Sequence, residues 1–467
     1  MSNVAPPPAD ASPEPTDSTD SAPSIPSALT LTDLSASLPG VVTLPGDPGW
    51  DAARTPWNLS VDQRPAAVAV PRDVDDVQEI IAFAAASGLQ VAVQVAGHGA
   101  SGSLEGSILV RLSAFTEIEV DAEAKTVRVG AGVKWGEVLP HLDGTGLIAM
   151  AGSNPNVSVC GYLLGGGHSW FTRRHGIAAH SIRAVDIIDA SGDFHHIDAS
   201  NHPELLWALR GGTGDVGVVT ALELDLYDAP ELYGGKLLFH GSLAKRLLTT
   251  TAEVARNSGR DLSLSAGVLR MPDIEQVPPP LRGLVVTYVD AVFVGPAAEG
   301  ADLLAPFLEI GEPMMNTLAP FTIGALSAVS AEPVEPAASR GWAGFAPEAS
   351  EALIDGMIEL VGPTGGEGAT FAQLRVLGGA LQTGDWSGGV AGGVDEDFIV
   401  YALWEGGEEA GPIDATPISR HATDRAFATF LMPGDTLARA YPAAALARLA
   451  AVTAAADPTN LFRGNRS

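Results

Sequence analysis

The chain has 467 residues, 46% of them apolar, enough for two or three domains around a large buried core. Its 56 acidic residues against 26 basic ones give a formal net charge of −30, which argues against nucleic acid or an anionic membrane as partner. Cys160 stands alone, so no internal disulfide framework exists. No run of about 18 uncharged apolar residues marks a membrane span, and no basic-then-apolar N-terminal stretch marks a signal peptide, so a cytoplasmic location is expected.

Residues 1–27 are mostly Pro, Ser, Asp and Ala. Such a stretch buries too little surface to offset the entropy of ordering, and it reads as a disordered tail. The next organised stretch is Pro65 to Gly102. Ala66–Val70 reads as a short apolar strand between two prolines. Asp73 then stands at a helix N-cap, and Val74, Val77, Ile80, Ile81 and Ala84 recur at helical spacing until Gly88. Leu89–Val95 reads as a buried strand. The chain then turns through Gly97, His98, Gly99 and Gly102, a loop whose missing side chains let backbone N–H groups approach a phosphate.

Further on, Ser107–Leu112 and Thr126–Val133 read as strands, and Trp135–Leu142 as a short helix ending in the Gly144–Gly146 turn. Gly152–Gly167 ends in three consecutive glycines, which suit close packing of backbone against a flat ring. Val185–Ala190 runs into the Ser191-Gly192 turn. Asn201–Arg210 reads as a capped helix with Pro203 in its first turn. Gly212-x-Gly214-x-x-Gly217 spells the dinucleotide fingerprint, but a helix precedes it and the strand Val218–Leu226 follows. The fingerprint needs the reverse order to put phosphate at a helix start, so a nicotinamide site is not expected here. His168, His175, His180, His195, His196 and His202 cluster in sequence without zinc-ligand spacing; they read as solvated or turn residues, and no metal is expected.

From about Glu231 the texture changes. Leu262–Leu269, Leu284–Val294, Thr370–Leu377 and Phe398–Trp404 have strand character, with helices over Ala297–Leu308 and Pro347–Val361. This pattern is that of an antiparallel sheet backed by helices, an α+β fold. Pro278–Pro280 and Gly388–Gly393 read as loops. An Ala-rich helix, Leu437–Ala456, leads to Asp457-Pro458-Thr459-Asn460-Leu461-Phe462.

Ala96-Gly97-His98-Gly99, Gly161-x-x-x-Gly165-Gly166-Gly167, Trp207 to Gly212, and the Asp457 to Phe462 ending together resemble the berberine-bridge-enzyme-like FAD-linked oxidases, bacterial type, of the vanillyl-alcohol-oxidase (PCMH-type) superfamily. The likeness is strong over roughly 50–230 and 440–467 and weak between. It departs at Gln94 and Ala96, where the commoner loop has arginine and glycine, and at Asp215-Val216, where it has Asn-Phe. The resemblance implies a two-domain fold: an FAD-binding domain over 28–230, an inserted antiparallel-sheet substrate domain over 231–435, and a return to the FAD domain over 436–467. It implies FAD held by a single covalent bond at His98, with Ala96, Gly97, Gly99, Gly102, Gly161, Gly165, Gly166, Gly167, Val219 and Asn460 around the cofactor. Some family members have a second link through a cysteine seven residues before the first glycine of the run; here that place is Asn154, and Cys160 reads as a small buried residue.

The implied reaction is two-electron oxidation of a small alcohol, sugar, amine or C–H group, with oxygen as acceptor. The family's tyrosine or asparagine before the final helix corresponds to Phe427-Ala428-Thr429-Phe430, which has neither. Tyr162, Arg375 and Tyr401 are the candidate catalytic groups by position and chemistry, though each reads more readily as structural. Two other readings stay open at this stage. One is a non-catalytic flavin carrier, favoured by the missing motif; the other is a dehydrogenase passing electrons to a different acceptor. A molybdenum-hydroxylase flavin subunit is disfavoured by the His98 loop and the Asp-Pro ending.

Overall fold

The computed structural model describes residues 1–2, 29–102, 104–362, 368–407 and 411–465. Apart from its first two residues, the tail expected to be disordered lies outside these.

Four strands open the fold: β1 (Val42–Thr43), β2 (Ala67–Ala69), β3 (Gln90–Val93) and β4 (Ser107–Val110), in the order β1-β2-β4-β3. β2 and β3 both run parallel to β4 between them. The crossover from β2 is helix α1 (Val74–Ser87), which starts where the Asp73 carboxylate accepts from the Asp76 N–H at 3.0 Å and ends at Gly88, φ +70°. Its Val77, Ile80, Ile81 and Ala84 are buried, the face that the spacing predicts.

The strand expected to be buried over Leu89–Val95 is instead the edge strand β3, and Val93 is 37% exposed. Because β4 inserts beside β2, β3 is left outermost. The C-terminal segment covers that edge: Val91 N–H donates to Leu461 O and Arg463 N–H to Val91 O, both at 2.8 Å.

A second, antiparallel sheet holds β5 (Ile118–Asp121), β6 (Thr126–Gly130), β7 (Ile182–Ile188), β8 (Phe194–Asp198) and β9 (Val218–Asp225) in the order β5-β6-β9-β7-β8. Between β6 and β7 lies helix α2 (Val159–Leu164), capped by Ser158, whose hydroxyl accepts from Gly161 N–H at 3.0 Å. Helix α3 (Pro203–Leu209) precedes β9, so the Gly212–Gly217 run does lie between a helix and a following strand. Asn201 does not cap α3; His202 holds that place without a side-chain bond, and Asn201 closes the preceding turn by accepting from Asp198 N–H and donating to His196 O, both at 2.8 Å.

A large antiparallel sheet follows, built on β10 (Leu232–His240), β11 (Leu262–Arg270), β12 (Val285–Val294), β13 (Ser339–Ala346), β14 (Phe371–Val376) and β15 (Phe398–Glu405). Their order is β10-β12-β11-β14-β15-β13, with short pieces at Met315–Asn316 and Ala319–Phe321 on the β10 edge. Helices α4 (Ala244–Asn257), α5 (Ala297–Leu308) and α6 (Glu351–Val361) pack against one face. α6 begins at its Ser350 cap rather than at Pro347. The final helix, α7 (Ala443–Ala456), is also shorter than the Ala-rich composition suggests. Pro442 breaks it from a single turn at Leu437–Arg439, because proline offers no N–H to the preceding turn. This is a two-domain α+β architecture: a mixed-sheet unit and an antiparallel-sheet unit joined by a shared apolar seam that includes Ile177, Trp207, Phe345 and Tyr441.

Candidate active site

The loop from β3 to β4 carries His98 to the boundary of the two units. Gly97 has φ +84°, and a Cβ there would come within 2.8 Å of both Gln94 and Pro56, so the turn demands glycine. The loop backbone is pinned by Trp57 N–H to Ala96 O at 3.0 Å and Asn58 N–H to Gly97 O at 3.2 Å. The His98 ring stacks on Trp57, centroids 4.1 Å apart and planes 13° from parallel. Both ring nitrogens are shielded from solvent and have no protein partner. Burial, and then the Lys134 ammonium, lower its pKa from 6.5 to about 4, so the imidazole is neutral with a lone pair free at neutral pH. The chemistry of that nitrogen suits a flat electrophilic ring system such as a flavin: it is neutral, desolvated and without a protein partner.

The other expected cofactor contacts are placed as follows. Ala96 and Gly97 form the pinned arm of the loop, while Gly99 and Gly102 form its far arm, with Gly102 at φ +69°. Gly161 is exposed in the first turn of α2. The glycine run does meet a flat ring, but for Gly167 that ring is Tyr162: a Cβ would lie 2.6 Å from it. Gly165 faces the Thr429 methyl, and Gly166 faces Ala391 and Tyr441 beside an apolar cavity of about 260 Å³. Val219 is buried in the core of β9, and Asn460 sits in a turn at φ +54°, its carbonyl accepting from Gln90. Asn154 donates to Pro333 O at 3.0 Å and its neighbour Asn156 to Val334 O at 2.9 Å, so both fasten the antiparallel-sheet unit to the first. Cys160 is buried, which pushes its thiol up to about 12.

Opposite the helices, the large sheet presents two polar rows. Cross-strand register aligns Lys236, Asp290, Ser265 and Arg375 in one, and Tyr288, Gly267, Gln373 and Tyr401 in the other. Lys236 pairs with the buried Asp290 at 3.0 Å; burial still pushes that carboxyl up to about 6. Gln373 donates to Tyr288 Oη at 2.8 Å and accepts from Arg375 Nε at 2.6 Å. Arg375 lies 5.3 Å from the Phe430 ring and 3.8 Å from Glu332. Tyr401 packs edge-on to Phe430, centroids 5.4 Å apart. Burial raises the phenols of Tyr162 and Tyr401 above their usual range, while the Arg375 charge pulls both back, so the three expected catalytic groups share one electrostatic neighbourhood.

His168 belongs there too, and its expected role as a solvated or turn residue is wrong. It follows the glycine run, lines one cavity with Arg375 and Ser265, and packs on Phe427 at 5.3 Å. Both its nitrogens are shielded and without a protein partner, and burial, then Arg375, lower its pKa to about 3. His175 and His180 are also largely enclosed, and His175 stacks on Tyr227. Asp290, Lys236 and Gln373 could have been found as polar residues at inward positions of otherwise apolar strands.

A glycine loop presenting a desolvated histidine to the boundary of a mixed-sheet unit and a polar-faced antiparallel sheet defines a two-domain FAD-binding protein. The comparisons agree. Residues 65–198 match the family model described as an FAD binding domain. The chain is 28% identical over 456 residues, 92% of its length and 96% of the other's, to the (R)-6-hydroxynicotine oxidase of Paenarthrobacter nicotinovorans. It is 30% identical to the glucooligosaccharide oxidase of Sarocladium strictum over 39% of this chain and 38% of that one. The BBE-like 1 structure from Physcomitrella patens shares the fold, with TM-score 0.81 at 19% identity over 94% of this chain and 99% of that one. Residues 65–198 are an FAD binding domain, the chain shares the fold of the BBE-like 1 structure, and it is an FAD-dependent oxidoreductase.

Proposed function

We propose that the protein is an oxidase of a small alcohol or amine, with FAD bonded covalently through His98 alone and oxygen as the electron acceptor. The observation that carries the attachment is the His98 imidazole: neutral, desolvated, without a protein partner, and held at the tip of a pinned glycine loop. Asn154, at the place of the second tether, is spent on the Pro333 carbonyl, which supports a single bond. Bound FAD supplies the two-electron acceptor. The FAD domain over 28–230, the substrate domain over 231–435 and the return over 436–467 are proposed as the domain limits, and the flavin neighbours are those named above.

The chain's own part is to hold and orient the substrate. The two polar rows give a floor of donors and acceptors on which a small polar substrate can be oriented. Arg375 tethers the polar end of the substrate, with the aromatic faces of Tyr401, Phe427 and Phe430 around it. Tyr162 and Tyr401 stay protonated and donate hydrogen bonds. His168 is neutral at neutral pH, and its unpartnered ring nitrogens are placed to hydrogen-bond the substrate's hydroxyl or amine, while burial and Arg375 disfavour its taking a full proton. The near-full-length relative named for hydroxynicotine oxidation favours an amine over a sugar. A panel of amines and alcohols, scored by peroxide release in air and by anaerobic bleaching of the flavin, tests this. Bleaching without peroxide would identify a dehydrogenase; no bleaching by any member would favour an inert flavin carrier.

A further inference from the structure

We propose that Trp57 and Asn465 are positioning residues for flavin attachment: the indole fixes the plane of the His98 imidazole, and the Asn465 amide fixes the backbone of the loop that carries it. The inference rests on the reading of His98 as the attachment point. Neither ring nitrogen of His98 has a hydrogen-bond partner in the protein, so no polar contact sets the rotation of the ring. The Trp57 stack does. It covers one face of the imidazole and leaves the nitrogens on its edge without any protein partner. Trp57 is itself held at three points: its N–H on Ala96 O at 3.0 Å, its carbonyl on Ala337 N–H at 3.3 Å, and its indole N–H on Val334 O at 3.2 Å. The last two partners belong to the antiparallel-sheet unit, so the imidazole is oriented through contacts that exist only when both units are docked.

The other arm of the loop is held from the far end of the chain. Asn465 Nδ2 donates to Gly99 O at 2.7 Å and its Oδ1 accepts from Ser101 N–H at 3.0 Å; the Ser101 hydroxyl also donates to the Asn465 carbonyl. Asn465 is delivered there because Arg463 N–H bonds Val91 O and the Arg463 guanidinium bonds Glu105 O at 2.7 Å, at the two ends of the same loop. A loop containing Gly97, Gly99 and Gly102 would otherwise spread over many conformations, and a nucleophile so spread reaches near-attack geometry rarely. Attachment forms a bond between an imidazole nitrogen and the flavin 8α carbon, with loss of the 8α proton; the two electrons left on the flavin pass to oxygen.

Apoprotein from riboflavin-starved cells is mixed with FAD in air, and acid-precipitable flavin is followed in time beside total bound flavin. Trp57→Ala should slow attachment about threefold to tenfold, the worth of one aromatic stack, while Trp57→Phe stays within about twofold of wild type. Asn465→Ala should slow it about fivefold, as expected for two exposed hydrogen bonds. Asn465→Asp should not restore the rate, because a carboxylate accepts from Ser101 but gives Gly99 no donor. In a His98→Ala background, Trp57→Ala should change reversible FAD affinity by less than about twofold, since there is no ring left to orient. Asn465 is exposed, so its variants are expected to fold even where Trp57→Ala does not. Wild-type attachment rates in both Trp57→Ala and Asn465→Ala would overturn the positioning role and leave His98 as the attachment point. An FAD affinity that falls in the His98→Ala background as far as the attachment rate does would also overturn it, by showing a general packing role. A colourless acid pellet from fully loaded wild type would instead remove the reading of His98 on which the inference stands.

Discussion

Protonating His98 costs the folded chain more than the unfolded one. Its pKa is 6.5 in an ordinary setting and about 4 in the fold, because burial, and then Lys134, disfavour the imidazolium. Between those values the unfolded chain binds a proton that the folded chain refuses, so this residue's contribution to stability falls as pH falls from 6.5 to 4. In apoprotein, the melting temperature of wild type relative to His98→Ala should therefore drop across that window; a difference that does not vary with pH would show the ring to be solvated. The buried Cys160, its thiol pushed up to about 12, should resist iodoacetamide in native protein and react only on unfolding. At this scale the sequence was informative where chemistry and glycine coincide, as at Gly97-His98-Gly99. It was silent on His168, because nothing local marks a histidine as enclosed by Phe427 and Arg375, which are more than 200 residues away in the chain.

Helix α1 was legible end to end, since Asp73 caps it, Gly88 stops it and its apolar spacing is regular. Edges were less so. β3 reads as apolar over Leu89–Val95, yet whether an apolar strand is central or outermost depends on where β4 inserts, which is a matter of topology rather than composition. β10 carries two glycines and a lysine and escaped notice for that reason. Gly234 and Gly235 lie where a Cβ would strike the Ala291 and Thr317 carbonyls, and Lys236 is there to meet Asp290. Removing one member of that buried pair strands the other. Lys236→Met should cost about 3 kcal/mol in urea unfolding, and the double variant with Asp290→Leu should recover much of it. A loss below about 1 kcal/mol would mean that water reaches the carboxylate.

The whole molecule closes around the boundary of its two units. The segment 333–339 is held by Asn154 and Asn156 on one side and by Trp57, Asn58 and Leu59 on the other. Asn154→Ala with Asn156→Ala removes two of these fastenings and should cost about 1 kcal/mol for each, with faster quenching of bound flavin by iodide. Unchanged quenching would show that the boundary is held by its apolar seam alone. Such contacts span about 180 residues of sequence and leave no local pattern, which is why the fold class could be read from the residues while the fastening of its parts could not.

The central claim is that His98 carries the flavin and that the chain turns it to oxidation. Acid precipitation of wild-type protein followed by peptide mass analysis tests it most directly. A yellow pellet, with one peptide containing His98 heavier by one FAD and none in His98→Ala, is the predicted result. A colourless pellet from fully loaded wild type, or flavin on a peptide without His98, would contradict it.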